Sequence, residues 1–201
     1  MSKMKEEEIN DILDKHPHLQ KYLDRIENKM DTPVFYTRLP FETRDEEYPN
    51  LIYPAQGSVF VHIFRTQEMD EREYHAIEPT LDEIESKKHE KLLKIIVKKA
   101  PEKKSVRSDE DLKKILKELI EEIIVIDEKA EKFEEKKGFL KSKSDKIKAT
   151  SFQKETIEYY ILKNIVGTGF LECFMRDLWV EVLHVVAGEK IHLIHKVFGM
   201  M

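Results

Sequence analysis

Hydrophobic positions recur at two spacings along this chain, and the change from one to the other predicts its elements. Over residues 4–30 the apolar side chains Ile9, Ile12 and Leu13, then Leu19, Tyr22, Leu23, Ile26 and Met30, repeat at three and four. This spacing predicts two short amphipathic helices, broken where Pro17 follows His16. Residues 31–57 hold Pro33, Pro40, Pro49, Pro54 and Gly57 among scattered aromatics, the signature of a wandering loop. The piece from Tyr48 to Pro54 leads into a sheet. Val59-Phe60-Val61-His62-Ile63-Phe64 is β-branched and aromatic, a strand. A turn at residues 67–73 returns the chain as residues 74–78, forming an antiparallel hairpin with His62 and His75 facing each other.

Helical spacing resumes after Pro79. Thr80 and Glu83 are spaced as a capping box for a helix running toward Lys99, with Leu81, Ile84, Leu92, Ile95 and Ile96 inward. Ser108 caps a long helix whose apolar face, from Leu112 through Ile123, Ile126, Ala130 and Phe133, is expected to persist until Gly138. These two helices are expected to pack antiparallel. Residues 138–150 are rich in Lys and Ser and are expected to lack regular structure. Ser151 then caps a helix ending near Val166, followed by a Gly167-Thr168-Gly169 turn and a short helix through Met175. Residues 180–186 and 191–197 alternate with period two and form a second hairpin, turning at Ala187-Gly188-Glu189-Lys190. His184 is placed to neighbour His192 or His195 across it. The class is α+β: a helical bundle with two small antiparallel hairpins, the second starting an α/β subdomain. The expected organisation is a helical domain with an inserted hairpin over 1–137, a linker over 138–150, and a second subdomain over 151–201.

Composition changes this picture in three ways. No apolar run approaches the roughly 18 residues of a membrane-spanning helix, and the charged opening residues are not those of a signal peptide. Cys173 is the one cysteine, so an internal disulfide and a cysteine metal cluster are excluded, in keeping with a reducing cytoplasm. Charged residues make up 37% of the chain at a net charge of −5. Ordinary domains carry about 25%. Such an excess of interleaved Lys and Glu is a thermophile trait.

Candidate chemistry is sparse. The 201 residues contain no Gly-x-x-x-x-Gly-Lys-Ser/Thr loop to cradle phosphates. Gly167-Thr168-Gly169 follows a helix and lacks the third glycine of a dinucleotide loop, so it is read as a helix stop. The eight histidines include no His-Glu-x-x-His, and Pro17 splits His16 from His18, so no metal ligand set is assigned. Cys173 lies in an apolar helix as an inert thiol. The acid pairs Glu121-Glu122 and Asp127-Glu128 fall beside lysines on a solvated helix face. No catalytic, cofactor-binding or metal residue is assigned. Lys141, Lys143, Lys146 and Lys148, flanked by Phe139, Leu140 and Phe152, are the candidate contact for a partner or anionic lipid.

The closing residues 159–201 carry a family resemblance. Tyr159-Tyr160-Ile161-Leu162-Lys163-Asn164, Gly167-Thr168-Gly169, Phe174-Met175-Arg176-Asp177, Glu181, Gly188, His195 and Phe198-Gly199-Met200 resemble the N-terminal domain of the secretion ATPase superfamily, the motors of type II secretion, type IV pili and the archaeal archaellum. Tyr74-His75-Ala76-Ile77-Glu78-Pro79-Thr80-Leu81 resembles the Tyr-x-x-x-Glu-Pro-x-Leu of the archaeal branch. Four positions depart from the pattern: Asn164 stands for an acid, Thr168 for an aromatic, Leu178 for a proline and Val182 for an acid.

The resemblance implies an N-terminal domain that rides on its own motor domain and on neighbouring subunits of a hexamer, passing ATP-driven movement to a membrane platform protein. It further implies a cytoplasmic location peripheral to the inner face of the membrane. ATP and Mg would be bound by the parent protein, none by this segment, and nucleic acid is not an expected partner. The first two helices would be a mobile partner-docking element. Two other readings stand beside this one. The first is a stand-alone divergent adaptor or regulator of such a machine, favoured by the lost acids at Asn164 and Val182. The second is a helical module that binds anionic lipid or nucleic acid through the lysines.

Overall fold

The computed structural model describes residues 3–99, 106–130 and 146–201. In chain order the elements are α1 (Glu6–Lys15), α2 (Pro17–Ile26), β1 (Val34–Phe35), β2 (Asn50–Pro54), β3 (Phe60–Phe64), β4 (Glu73–Ile77), α3 (Glu83–Lys99), α4 (Asp109–Ile123), β5 (Ile124–Ile126), β6 (Ile147–Ala149), α5 (Ser151–Ile165), α6 (Glu172–Met175), β7 (Val180–His184), β8 (His192–His195) and β9 (Gly199–Met200). The fold is mixed α+β. It divides into two compact units, Met1–Pro79 with Leu171–Met201, and Thr80–Phe170. Both hairpins fall in the first unit. The segment 138–150 falls within the second.

In the first unit the main sheet has the order β1-β2-β3-β4, with β1 parallel to β2 and the remaining pairs antiparallel. Every residue of β3 is buried, which explains its unbroken apolar run: both faces of this strand are covered. On one face Phe35, Ile52, Phe60 and Ile77 pack with Leu19 and Tyr22 of α2 and the apolar stripe of α1. On the other, Leu51, Tyr53, Val61 and Ile63 pack with Leu193, Val197, Phe198 and Met201. Leu193 belongs to a second antiparallel sheet in the order β7-β8-β9, bulged between Val180 and Val182, and Val197, Phe198 and Met201 flank its last strand. Its turn holds Gly188 at φ 86°, a backbone that a side chain would strain. The expected second hairpin is present, and β9 adds a strand to it.

The second unit packs α3, α4 and α5 around an aliphatic core: Leu92, Ile95 and Ile96, then Leu116, Leu119, Ile120 and Ile123, then Ile157 and Ile161. The parallel pair β5 and β6 closes one side through Ile124, Ile147 and Ala149.

Four sequence expectations need correction here. The long helix after Ser108 ends at Ile123, because the β-branched run Ile123-Ile124-Val125-Ile126 fits a pleated strand better than a helix, and it pairs with β6. Phe133 lies outside the described residues. The segment 138–150 is not structureless where it is described, since residues 147–149 form β6. Its residues 138–145 lie outside the described residues. The cap of α3 is made by Asp82 and Glu85, whose carboxylates accept each other's backbone amides at 2.7 and 2.9 Å, and Thr80 has no part in it. At α5 the cap is Thr150, paired with Gln153, one residue before the expected Ser151. Ser108 does cap α4, accepting the Asp111 amide at 3.1 Å. No helix among the described residues is long and apolar enough to cross a membrane.

Candidate functional site

Tyr53 and Tyr74 of the first unit converge on Asp177, and His195 joins them through Tyr53. Asp177 lies between α6 and β7 and is buried. Its Oδ2 accepts the Tyr53 hydroxyl of β2 at 2.6 Å and the Tyr74 hydroxyl of β4 at 3.0 Å. Its Oδ1 accepts the Trp179 amide at 2.9 Å. His195 of β8 extends the chain. Its Nδ1 accepts the amides of Val197 and Phe198 at 3.2 and 3.3 Å. The ring proton therefore sits on Nε2, which donates to the Tyr53 oxygen at 3.0 Å. A directed relay results, from His195 to Tyr53 to Asp177, with Trp179 stacked 6.4 Å over the imidazole.

Burial sets the electrostatics of this centre. Desolvation raises the Asp177 carboxyl above its ordinary range, although the donated hydrogen bonds and Lys196 pull the other way. Desolvation also lowers His195 to about 4, with Lys196 adding to the effect. Both tyrosines are pushed up, by burial first and the Asp177 charge second. At neutral pH the imidazole is neutral and the tyrosines are protonated. Four donors or acceptors from β2, β4, β8 and the turn before β7 are thus mutually satisfied without a buried cation. Such a closed network rigidifies what it joins.

A second polar contact fastens α2 to the opposite face of the sheet. Asn50 Oδ1 accepts His62 Nε2–H at 2.8 Å, which leaves His62 Nδ1 to accept the Tyr22 hydroxyl at 2.7 Å. His75, paired with His62 in register as expected, lies 3.4 Å from the same hydroxyl. His18 donates through Nε2 to the Ser58 carbonyl at 2.8 Å. Burial lowers His62 to about 3 and His18 to about 4.

The second unit holds a comparable feature. Lys88 is 1% exposed and donates to the Ala130 carbonyl at 2.8 Å and to Gln153 Oε1 at 2.6 Å. Burial lowers its ammonium. It ties α3 to α5 and to the turn after β5.

Of the lysines expected to touch a partner, Lys141 and Lys143 lie outside the described residues. Lys146 donates to the Glu122 carbonyl near the end of α4, and Lys148 bonds Asp127 at 2.9 Å. That bond holds the Asp127 carboxyl below its usual range. The described pair therefore serves α4 and β5 within the unit. Gly167 stops α5 as expected, its amide reaching the Leu162 carbonyl at 2.9 Å. Cys173 is buried, also as expected. His184 pairs with His192, while His195 turns inward to Tyr53. Among the described residues no group of three or more His, Cys, Asp or Glu side chains is arranged to hold a metal ion.

Sequence reasoning missed the Asp177 centre. The available signal was an acid inside an apolar run, together with tyrosines at inward positions of two strands.

No family model matches the chain. It is similar to an uncharacterized protein of Methanocaldococcus jannaschii, with 31% identity over 200 residues, covering 98% of this chain and 36% of that protein. The chain thus spans little more than a third of this relative's length.

Proposed function

We propose that this chain is the N-terminal domain of a type II/IV secretion-type ATPase, of the class that assembles pili or archaella, and that it passes ATP-driven movement of a motor domain to membrane partners. One observation carries the reading. The two separate stretches that resemble the family, around Tyr74 and around Asp177 to His195, meet in one buried hydrogen-bonded centre. Tyr74, Asp177 and His195 of those stretches, with Tyr53 between them, tie β2, β4 and β8 together. A transducer has to be stiff, because displacement absorbed by internal deformation is not delivered. On this reading ATP and Mg are bound by a motor domain outside the 201 residues, which contain no phosphate-binding loop of their own. A longer archaeal relative is consistent with a parent protein of that size. The described lysines Lys146 and Lys148, being engaged within their own unit, give less support to the lipid or nucleic-acid module.

The test is Mg-ATP turnover by two purified polypeptides, this chain and the product of its whole reading frame. Turnover is expected only in the second, together with a phosphate-binding loop in its sequence. Turnover by the 201 residues alone, in preparations free of contaminating ATPase, overturns the proposal. A reading frame without such a loop does so as well.

A further inference from the structure

Buried histidines fasten α2 to the main sheet. In α1 no residue is fully buried, and in α2 the buried residues are His18, Leu19 and Tyr22. Two of these three bond through an imidazole. His18 donates through Nε2 to the Ser58 carbonyl at 2.8 Å, and the Tyr22 hydroxyl donates to His62 Nδ1 at 2.7 Å. Both imidazoles sit among other rings, His18 beside His16 and Phe60, His62 beside Tyr22 and Phe64.

Each contact is built for a neutral ring. His18 Nδ1 is buried with no hydrogen-bond partner among the described residues, so a proton added there becomes an unsatisfied buried donor. Asn50 Nδ2 donates to the Asp31 carbonyl at 2.8 Å, which turns Asn50 Oδ1 toward His62 Nε2–H and leaves the lone pair of His62 on Nδ1. A proton on that nitrogen meets the hydrogen of the Tyr22 hydroxyl. To make room, the hydroxyl has to turn to His75 Nδ1, 3.4 Å away. The surrounding charges give an imidazolium little help. His16 and Lys21 oppose a charge on His18, and His75 opposes one on His62. Arg25 adds a positive charge 5.8 Å from the Tyr22 ring. Glu78 favours a charged His18, with the least weight of its neighbours, and Glu73 lies 3.5 Å from His75. Every charged side chain of α1 is exposed, and β1, β2 and β3 hold no titratable group facing α2 besides His62.

We propose that α1 and α2 form an acid-released arm: as the pH falls, proton uptake by His18 and His62 frees the helical pair from the sheet while β2, β3 and β4 stay paired. In the released arm both rings are solvated and take up protons near the ordinary imidazole value of about 6.5. Burial lowers them to about 4 and 3 in the docked state. Docking is therefore complete above pH 6.5 and weakens as the pH falls below it. Each histidine multiplies the ratio of released to docked arm by up to about tenfold per pH unit, and the two together by up to about a hundredfold. Helices of ten residues are marginal on their own, so the freed arm unwinds as well. His195 packs on the other face of the sheet and stays buried when the arm leaves, so it does not drive the release. Neither step involves a motor domain or a nucleotide.

The test is amide hydrogen exchange of the 201-residue chain at pH 7 and pH 5, corrected for the intrinsic pH dependence of exchange. Protection of residues 6–26 is expected to fall at least about tenfold at the lower pH, while the amides of β2 and β3 and the fluorescence of Trp179 hold. His18→Gln with His62→Gln, which keeps a donor at each ε position and does not titrate, is expected to abolish the difference. Unchanged protection of residues 6–26 at pH 5 overturns the proposal. So does loss of β3 protection at the same pH, which would be melting of the whole unit, or a pH dependence that survives in the double variant. Should the double variant already be released at pH 7, nuclear magnetic resonance of the unsubstituted chain decides. The His18 and His62 imidazole signals then have to titrate in step with the loss of protection, and a loss out of step with them rules the arm out.

Discussion

The two units of this chain solve the same packing problem with different chemistry. The Thr80–Phe170 unit is built from Ile and Leu on three helices, with Lys88 as its fully buried ammonium. The unit of Met1–Pro79 and Leu171–Met201 buries aromatic rings and sets polar groups between its layers: Asp177 with Tyr53, Tyr74 and His195 on one side of the main sheet, and Tyr22 with His62 on the other. An aliphatic core is non-directional and tolerates sliding, whereas a hydrogen-bonded network accepts one arrangement. The sheet unit is therefore the one specified to a single geometry. That is a property suited to a transmitter of movement.

Substitutions sharpen the contrast, each acting on one unit. Asp177→Ala leaves two tyrosine hydroxyls and the Trp179 amide without their acceptor, and is expected to cost about 3 kcal/mol, since an unsatisfied buried donor costs roughly 1–3. Urea denaturation followed separately in the two units should show that loss in the sheet unit alone. Equal loss in both would mean that they do not melt independently. Leu119→Ala opens a cavity in the aliphatic core, and about 3 kcal/mol should disappear from the helical unit.

Acid separates the units without mutation. His18, His62 and His195 have folded-state pKa values lowered to about 4, 3 and 4. The unfolded chain takes up their protons as the pH falls through about 6.5, before the folded protein does. Stability from this source is complete above that pH and is lost progressively toward pH 4. Each histidine should contribute about 2 kcal/mol of loss between pH 6.5 and 5. Asp177, raised by burial, acts in the opposite sense. Three histidines outweigh it, and the sheet unit should unfold first on acidification. The helical unit has His89, lowered by burial, as its comparable group, so a helical unit that melted first would contradict this ordering. The smallest effect is expected from Ser108→Ala at the cap of α4, about 1 kcal/mol in thermal melts of the helical unit.

What the sequence revealed follows the same division. Helical periodicity located α1 to α4 by their apolar stripes, whereas α5, which also buries Gln153, Thr156 and Lys163, was placed by its cap and its glycine stop. The hairpins were legible from β-branched alternation around Gly188 and Phe60. The end of α4 was not. Ile123 to Ile126 satisfies helical spacing as well as a strand pattern, and pairing with Ile147 to Ala149, more than twenty residues away, decides between them. The partners of Asp177 were not legible for a related reason. Tyr53 and Asp177 are 124 residues apart, and nothing local marks them as partners. Sequence spacing reports faces of single elements, whereas a site assembled from four of them depends on tertiary register.

The claim that the sheet unit is a rigid transmitter built around Asp177 can be tested directly by hydrogen exchange on the product of the whole reading frame, with a non-hydrolysable ATP analogue and then with ADP. Amides of β2, β4 and β8 are expected to exchange slowly and at equal rates in both states, as the unit moves without deforming. Exchange of Tyr53, Tyr74 or His195 that changes tenfold between the two nucleotides would contradict the account, since the centre would then be opening and closing with the motor.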